Sequence, residues 1–508
     1  MDFYFELDQK IRYENSIKII DLLEKSKNIY FIGIGGIGLS ALAQLFNKIG
    51  KKVSGSDQYE SEITSILNES GIKTYIGHNL SNIKNSIKLF GDIDIVIYSP
   101  AVNDENIELS YFKRENTFTL TYGQALSYFV NTMNSVSVCG THGKSSTTAI
   151  LSEMLIEHKI DTSFLCGAIL KKFNTNAIFN KNSKYFIAES CEYKETFLNF
   201  FPNNIIIPSL EVDHLDYYKN EENYFNAFKS FLCQLKNGTL VMRVEKDLEK
   251  RLFKYAKSLK NIKNILTYSS YEEKLAEEYE NHQHFYYFYD EKNPNEVRFE
   301  KIEIKNKKQN ILLSYNFNIN IPSKEYAANF VSVFAFLESL SILNAESLKY
   351  APKYFGIKRR FELLGIDKNN NYVISDYAHH PSEINTLLKI AKLKYQSKKI
   401  FLIFQAHQHS RTKYLLDEFL KLFKEVENLI ILPIYRQRDS EDDIKNMSSL
   451  MFFESIEKVN KNAIYCDGER SIFDFLKNIK DSVFLFTGAG TIDNFAKNYL
   501  KFSKDTRE

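Results

Sequence analysis

Two glycine-rich turns carry residue types that bind phosphate. The run Val138-Cys139-Gly140-Thr141-His142-Gly143-Lys144-Ser145-Ser146-Thr147 follows a short apolar stretch and leads into a helical pattern. Backbone amides at a helix start, a lysine ammonium and a hydroxyl then converge on one place, the arrangement that cradles a nucleoside triphosphate. Lys144 would neutralise the β and γ oxygens, and Ser145 would reach Mg2+. The helix dipole would add roughly 0.3 to 1 kcal/mol per anionic neighbour. The first glycine of the full GxxxxGK[ST] pattern falls on Val138, so only its second half is present. ATP is the expected occupant, and acids at nearby strand ends are candidate magnesium ligands. Glu189 and Glu192 in AESCEYKETF both qualify, and His214 in EVDHLDYY sits in the loop after the next strand.

The other turn is GIGGIG, with Gly33, Gly35, Gly36 and Gly38 between the apolar run NIYFI and a helical pattern. Glycines there permit a tight turn and let amides approach a diphosphate at a helix start. Asp57 ends the following strand about twenty residues on, where a carboxylate accepts hydrogen bonds from ribose or base. Ser99, at the end of IDIVIYSP, joins these residues as a substrate-binding candidate. The chemistry fits a nucleotide diphosphate, with NAD and UDP equally accommodated.

Strands and helices must alternate to hold such turns, and the chain is written that way almost throughout. A first block runs to about residue 130, and a second, opening with SVSVCG, to about residue 345. A third alternates NYVISD, IFLIFQ, LIILPI and VFLFTGAG with helical segments. Residues 282 to 321 alternate with period two, which predicts hairpins forming a small antiparallel sheet. The expected class is α/β with three domains, at 1–130, 131–345 and 346–508: a Rossmann-like N-terminal domain, a central P-loop-type ATP-binding domain carrying the antiparallel sheet, and a Rossmann-like C-terminal domain. A length of 508 residues agrees with about three cores.

Composition removes several classes of function. With 66 Lys+Arg against 64 Asp+Glu, no overall field would gather nucleic acid or an acidic membrane. The five cysteines show no CxxC spacing, which argues against disulfide or zinc frameworks. The N-terminus is polar, and no run approaches the roughly 18 apolar residues of a membrane span, so a cytoplasmic chain is expected.

The markers GIGGIGLSALA, SGSD, GTHGKSSTT, AESCEYKETFLNFFP, EVDHLDYY, GIKRRFELLG, SDYAHHPSEI, FQAHQHSRT and GAGTI occur in the order of the Mur ligase family, which the chain resembles over most of its length. The resemblance implies an ATP- and Mg2+-dependent ligase of cytoplasmic peptidoglycan precursor synthesis, forming ADP and phosphate. Its substrates would be UDP-N-acetylmuramate, held by the N-terminal domain, and L-alanine. The alternatives are a ligase that attaches a recycled tripeptide to the same sugar nucleotide and, from another class, an NAD-dependent oxidoreductase. Neither nucleic acid nor membrane is an implied partner, and a monomer or weak homodimer is expected.

The resemblance further implies that Gly140, Thr141, His142, Gly143, Lys144, Ser145 and Ser146 hold the ATP phosphates, and that Ser145, Glu189 and His214 bind Mg2+. Asn329 would lie near the adenine, Arg360 on the phosphates and Asp376 close to the nucleotide. Tyr377, His379 and Arg411 would line the amino-acid pocket, with His379 as a base or positioning group, and the third domain would close over ATP and amino acid. Several positions depart from the family pattern. Glu325-Tyr326 stand where His-Asn is usual, Gln408 replaces an arginine found in many relatives, and Thr491 stands where an acid is common. Phe228 falls where sister ligases carry a carbamylated lysine, so none is expected at Lys229.

Overall fold

The computed structural model describes residues 3–272, 282–305, 308–436 and 439–505. Its contacts fall into two compact units. One comprises Met1–Asn320 and Lys324–Phe355, the other Ile321–Ser323 and Gly356–Glu508.

The first unit holds two sheets. The N-terminal sheet contains β1 (Asn28–Ile32), β2 (Lys52–Asp57), β3 (Lys73–Ile76), β4 (Ile95–Tyr98) and β5 (Phe118–Thr121), all parallel in the order β3-β2-β1-β4-β5. Tyr30, Phe31 and Ile32 of β1 are fully buried, as expected of a central strand covered by helices on both faces. The helix Ile37–Lys48 buries Leu39, Leu42, Leu45 and Phe46 at helical spacing. Chain direction across the sheet reverses between β1 and β4, which opens a crevice at their carboxyl ends where ligands bind in such folds.

The second sheet has ten strands: β6 (Ser135–Val138), β7 (Thr162–Leu170), β8 (Thr175–Ile178), β9 (Tyr185–Glu189), β10 (Asn204–Ile207), β11 (Gly238–Arg243), β12 (Ile262–Ser270), β13 (Gln283–Tyr289), β14 (Glu296–Lys305) and β15 (Lys308–Asn318). Their order is β15-β14-β13-β12-β11-β10-β6-β9-β7-β8. The antiparallel pairings expected near residues 282 to 321 are present in β13–β14–β15. They do not form a separate sheet, because β13 also pairs in parallel with β12 and so extends the central one. Phe299 and Phe317 of this extension pack on Phe334 of the helix Lys324–Ser339, with ring centroids 5.3 and 5.0 Å apart. Burying those aromatic faces favours continuation of the sheet over a free hairpin.

The two sheets of this unit are tied together through the helix Ile37–Lys48. Asn176 Nδ2, on β8, donates to Ile37 O at 2.6 Å, and Gln44 Nε2 donates to Asn176 Oδ1 at 3.2 Å.

The second unit contains β16 (Glu362–Ile366), β17 (Tyr372–Asp376), β18 (Lys399–His407), β19 (Leu429–Tyr435), β20 (Ile464–Tyr465) and β21 (Ser482–Thr487) in the order β16-β17-β21-β18-β19-β20. Only β16 runs antiparallel to its neighbour. Ile403, Leu432, Phe484 and Phe486 fill its core against Tyr499 of the last helix. Among the described residues no helix is long and apolar enough to cross a membrane.

Candidate active site

The lysine loop leaves β6 at Val138 and becomes the helix Lys144–Glu157, whose cap, Gly143, is left-handed (φ +81°) and supplies no side-chain cap. The amides of the first turn are thereby presented to an anion. A β-carbon on Gly140 would meet Ser209 O at 2.3 Å, and one on Gly143 would meet Asn329 Oδ1 at 2.6 Å. Both positions therefore require glycine, and Asn329 lies directly on the loop. Ser209 was not singled out by sequence, yet it fastens the turn. Its carbonyl accepts from Thr141 N (3.1 Å) and its Oγ from His142 N (2.8 Å). Thr141 Oγ1 donates to Glu211 O (2.7 Å), and Ser146 is buried in the first turn.

Lys144 Nζ donates to Gly140 O (2.5 Å), Thr141 O (3.0 Å) and Glu192 Oε1 (3.1 Å), and lies 3.0 Å from Glu192 Oε2. Glu192 is fully buried. Burial opposes its charge, but Lys144 and a hydrogen bond from His214 hold its pKa below the ordinary carboxylate value. Burial likewise opposes the charge on Lys144, and Glu192, with Cys191 and Glu189, holds its pKa above the usual one. His214 Nε2 stands 3.5 Å from Glu192 Oε1. Burial lowers its pKa, while Glu192 and Asp213 raise it more, to a net rise. His214 adopts φ +54°, a strained value for a residue with a side chain.

Ser145 Oγ donates to Glu189 Oε1 at 3.0 Å, and Gly167 N donates to Glu189 Oε2 at 2.6 Å. Of the three residues expected at Mg2+, Ser145 and Glu189 are in contact, whereas the His214 ring faces Glu192, Asp213 and the Tyr193 ring. Among the described residues no three His, Cys, Asp or Glu side chains converge as at a protein-only metal centre. A hydroxyl and a carboxylate fit Mg2+ all the same, since that ion prefers oxygen donors and beside phosphates uses one or two carboxylates. Gly167 belongs to no sequence motif. A β-carbon there would lie 2.7 Å from both Glu189 oxygens.

At the other glycine loop, Gly33 N and Ile34 N donate to Ser56 O (2.8 and 2.9 Å), and Gly36 caps the next helix without a side-chain bond. Gly33 is left-handed (φ +84°), and its missing β-carbon would lie 3.1 Å from Ser99 Cβ. The loop and Ser99 thus share the crevice between β1 and β4. Asp57, expected to face ribose or base, spends Oδ2 on Gly35 N (2.8 Å) and accepts Tyr59 N at Oδ1 (3.3 Å). It shapes the loop as well as standing at the strand end. The space beside Gly38 is filled by the Tyr122 ring, 3.1 Å from where a β-carbon would be. Burial raises the pKa of Tyr122 above the ordinary phenol value, and nearby Glu189 adds to the rise. Tyr122 therefore stands between the two loops, another residue that no motif announced.

In the second unit, Asp376 ends β17 fully engaged by backbone. Oδ2 accepts Phe361 N (2.6 Å) and Oδ1 accepts Ala378 N (2.7 Å). Burial raises its pKa and Arg360 opposes the rise. Arg359 and Arg360 both lie over the Tyr377 ring, at 4.8 and 5.6 Å. Tyr377 and His379 are edge to face at 5.4 Å, and His379 is 6.4 Å from His407. Burial lowers the His379 pKa to about 4, with Glu383 opposing and Arg411 assisting. Its Nδ1 faces Tyr377 O at 3.1 Å, so in the neutral ring Nδ1 carries the proton and Nε2 is a free lone pair for a base. Tyr377, His379 and Arg411 are thus neighbours. His380 instead caps the helix Pro381–Lys394, and His409 bonds Met447 O.

At the departures, Glu325 receives Arg243 (2.5 Å), Gln408 holds φ +65° at the start of the helix His409–Tyr414, and Thr491 Oγ1 donates to Gln405 Oε1 (3.4 Å). Lys229 Nζ donates to Asn226 Oδ1 (3.1 Å) and lies over the rings of Phe225 and Tyr255.

Three family models match the chain. They are the Mur ligase family catalytic domain over residues 28–133, the Mur ligase middle domain over 138–337, and the Mur ligase glutamate ligase domain over 359–490. The UDP-N-acetylmuramate–L-alanine ligase of Acetivibrio thermocellus is 35% identical over 489 residues, covering 94% of this chain and 96% of the relative. That of Clostridium acetobutylicum is 33% identical over 484 residues, with 94% and 98% covered. The crystal structure of the UDP-N-acetylmuramate–alanine ligase of Thermotoga maritima superposes with a TM-score of 0.75 at 25% identity, over 94% of this chain and all of the other.

Proposed function

The chain belongs to the Mur ligase family, with its three-domain α/β fold, and on that premise we propose that it joins L-alanine to UDP-N-acetylmuramate in peptidoglycan precursor synthesis. The observation that carries the proposal is the uncapped helix start bearing Lys144 beside the Ser145–Glu189 pair, in one unit with a glycine loop of nucleotide-binding form. The relatives carry the L-alanine reading over the tripeptide and NAD alternatives.

A carboxylate is a poor electrophile, so the lactyl carboxylate must first take the terminal phosphoryl group of ATP. Phosphate then leaves when the alanine amine attacks the acyl carbon. Lys144 and the first-turn amides would hold the phosphates and stabilise charge during transfer. Ser145 and Glu189, with His214, would hold Mg2+, which when bound neutralises phosphate charge. Gly33, Gly35, Gly36, Gly38, Asp57 and Ser99 would bind the sugar nucleotide. Asn329, Arg360 and Asp376 are proposed for the ATP side. Tyr377 and Arg411 are proposed for the amino acid, with His379 Nε2 accepting the amine proton. The domain limits 1–130, 131–345 and 346–508, ADP and phosphate as products, cytoplasmic action, and a monomer or weak homodimer belong to the same proposal.

The test is incubation with UDP-N-acetylmuramate, ATP and Mg2+ and, separately, L-alanine, glycine, L-serine or the tripeptide. Phosphate and product mass are followed. Phosphate release and a UDP-N-acetylmuramoyl-alanine mass that both require L-alanine are expected. Preference for the tripeptide, or no release with any amine, would overturn the proposal.

A further inference from the structure

One buried acid takes no part in the chemistry above. Glu108, on the helix Ile107–Arg114, has no exposed surface. Its Oε1 accepts Asn79 N (2.9 Å), Asn82 Nδ2 (2.8 Å) and Tyr30 OH (3.3 Å), and its Oε2 accepts the Ser56 hydroxyl. Burial opposes the charge, yet the bonds from His78, Ser56, Asn79 and Asn82 keep its pKa below the ordinary value. Taking a carboxylate out of water costs several kcal/mol, and an apolar side chain would fill the volume more cheaply. A carboxylate here suits a polar task.

That task is visible in His78. Its Nδ1 is 3.0 Å from Ser56 Oγ and 3.5 Å from Glu108 Oε2. The Ser56 proton is already committed to Glu108, so Ser56 Oγ can only accept, and Nδ1 must carry the ring proton. Nε2 is then a lone pair in the neutral ring, and the His78 side chain keeps 15% of its surface in solvent.

The location fits a nucleotide base. In this fold the diphosphate lies at the β1 loop and the ribose at the end of β2. The next strand outward is β3, whose loop carries Gly77 and His78. Strands lie about 4.8 Å apart, so that loop is roughly 10 Å from the β1 loop. Gly77 N donates to Asp57 O (2.8 Å), and Asp57 in turn holds Gly35 N, which links the β3 loop to the glycine loop.

We infer that His78 reads the uracil of the sugar nucleotide, its Nε2 accepting the N3–H of the base, and that Glu108 is a positioning residue that fixes the tautomer through Ser56. This rests on the reading of the N-terminal site as a UDP site. Cytosine offers a lone pair at N3, so the same nitrogen would repel it.

Calorimetric titration of the full chain with UDP and with CDP tests this. The unaltered chain should prefer UDP by about tenfold or more, the worth of one good hydrogen bond set against one repulsion. His78→Leu should lower UDP affinity about tenfold and, by removing the repulsion, raise CDP affinity, so that the preference is lost, and His78→Gln, whose amide oxygen can accept, should restore part of it. Nitrogen-15 spectra should show the Nδ1–H tautomer of His78 in the unaltered chain and a mixture in Glu108→Gln, a change that loss of packing alone would not produce. An unaltered UDP-to-CDP ratio in His78→Leu, or an Nε2–H tautomer in the unaltered chain, overturns the inference and leaves the proposed function standing. A chain that binds no UDP overturns both.

Discussion

Replacing Lys144 with Met removes the ammonium that lies 3.0 and 3.1 Å from the two oxygens of Glu192. Glu192 is buried without exposed surface and would keep His214, 3.5 Å away, as its remaining ionic partner. Stranding one member of a buried pair costs roughly 3 to 5 kcal/mol, and His214 places the expectation near the lower end. A loss of about 3 kcal/mol lowers the melting temperature by several degrees in a chain of this size. The double variant Lys144→Met/Glu192→Gln removes the stranded charge at constant volume and should recover most of that loss. Catalysis should not follow stability, because neither methionine nor glutamine can place a cation on a transferring phosphoryl group. Losing such electrostatic stabilisation costs about a hundredfold to a thousandfold in rate. Circular dichroism is the suitable probe of melting, since the chain has no tryptophan, and phosphate release with UDP-N-acetylmuramate and L-alanine reports the chemistry. Recovery of activity in the double variant, or a Lys144→Met chain that melts with the unaltered one, would refute the reasoning.

Glu153, buried and hydrogen-bonded by the Tyr350 hydroxyl, has its pKa raised by burial to about 7 from 4.5. The folded chain therefore holds a proton that the unfolded chain releases, and stability falls as pH rises from about 4.5 to about 7. Glu153→Gln should remove that slope, gaining on the order of 3 kcal/mol over the unaltered chain at pH 8 and almost nothing at pH 4; a pH-independent difference in denaturation midpoint would contradict this. Because burial holds His379 neutral down to about pH 4, the rate profile should show no acid limb from this group near 6.5, and His379→Ala should lower the catalytic rate about a hundredfold. An unchanged rate removes His379 as the base. Gly167→Ala pushes a methyl group against both Glu189 oxygens, so the Mg2+ concentration for half-maximal activity should rise about tenfold or more; an unaltered requirement would separate Glu189 from the metal.

Much of this was legible in the sequence because it is local. NIYFI, SVSV and YFIA read as buried strands, and the glycines at 33, 140 and 143 stand where the backbone turns left-handed or another carbonyl or amide comes close. What escaped is what joins distant segments. Residues 282 to 321 show their alternation, but nothing in it says that β13 will pair with β12. Glu192 appeared only as one of two interchangeable acids, because its importance lies in being buried against Lys144 and His214, from two other loops. The position of Asp57 at a strand end is visible in the sequence, whereas its bond to Gly35 N exists only once the turn has folded. Gly167 and Tyr122 belong to no motif, and only their packing against Glu189 and Gly38 marks them.

The hydrogen bond from Asn176 to the carbonyl of Ile37 has a practical corollary. It clamps the first turn behind the N-terminal glycine loop to β8, and β8 is the antiparallel partner of β7, the strand that carries Gly167. On the proposed assignment of the two glycine loops, the gap that an acceptor acid must bridge to reach a phosphoryl donor is gauged by a short hairpin and two amide side chains, Asn176 and Gln44. Anyone wishing to retune this scaffold for a longer or shorter acid would begin by resizing that spacer, and could leave both glycine turns as they are.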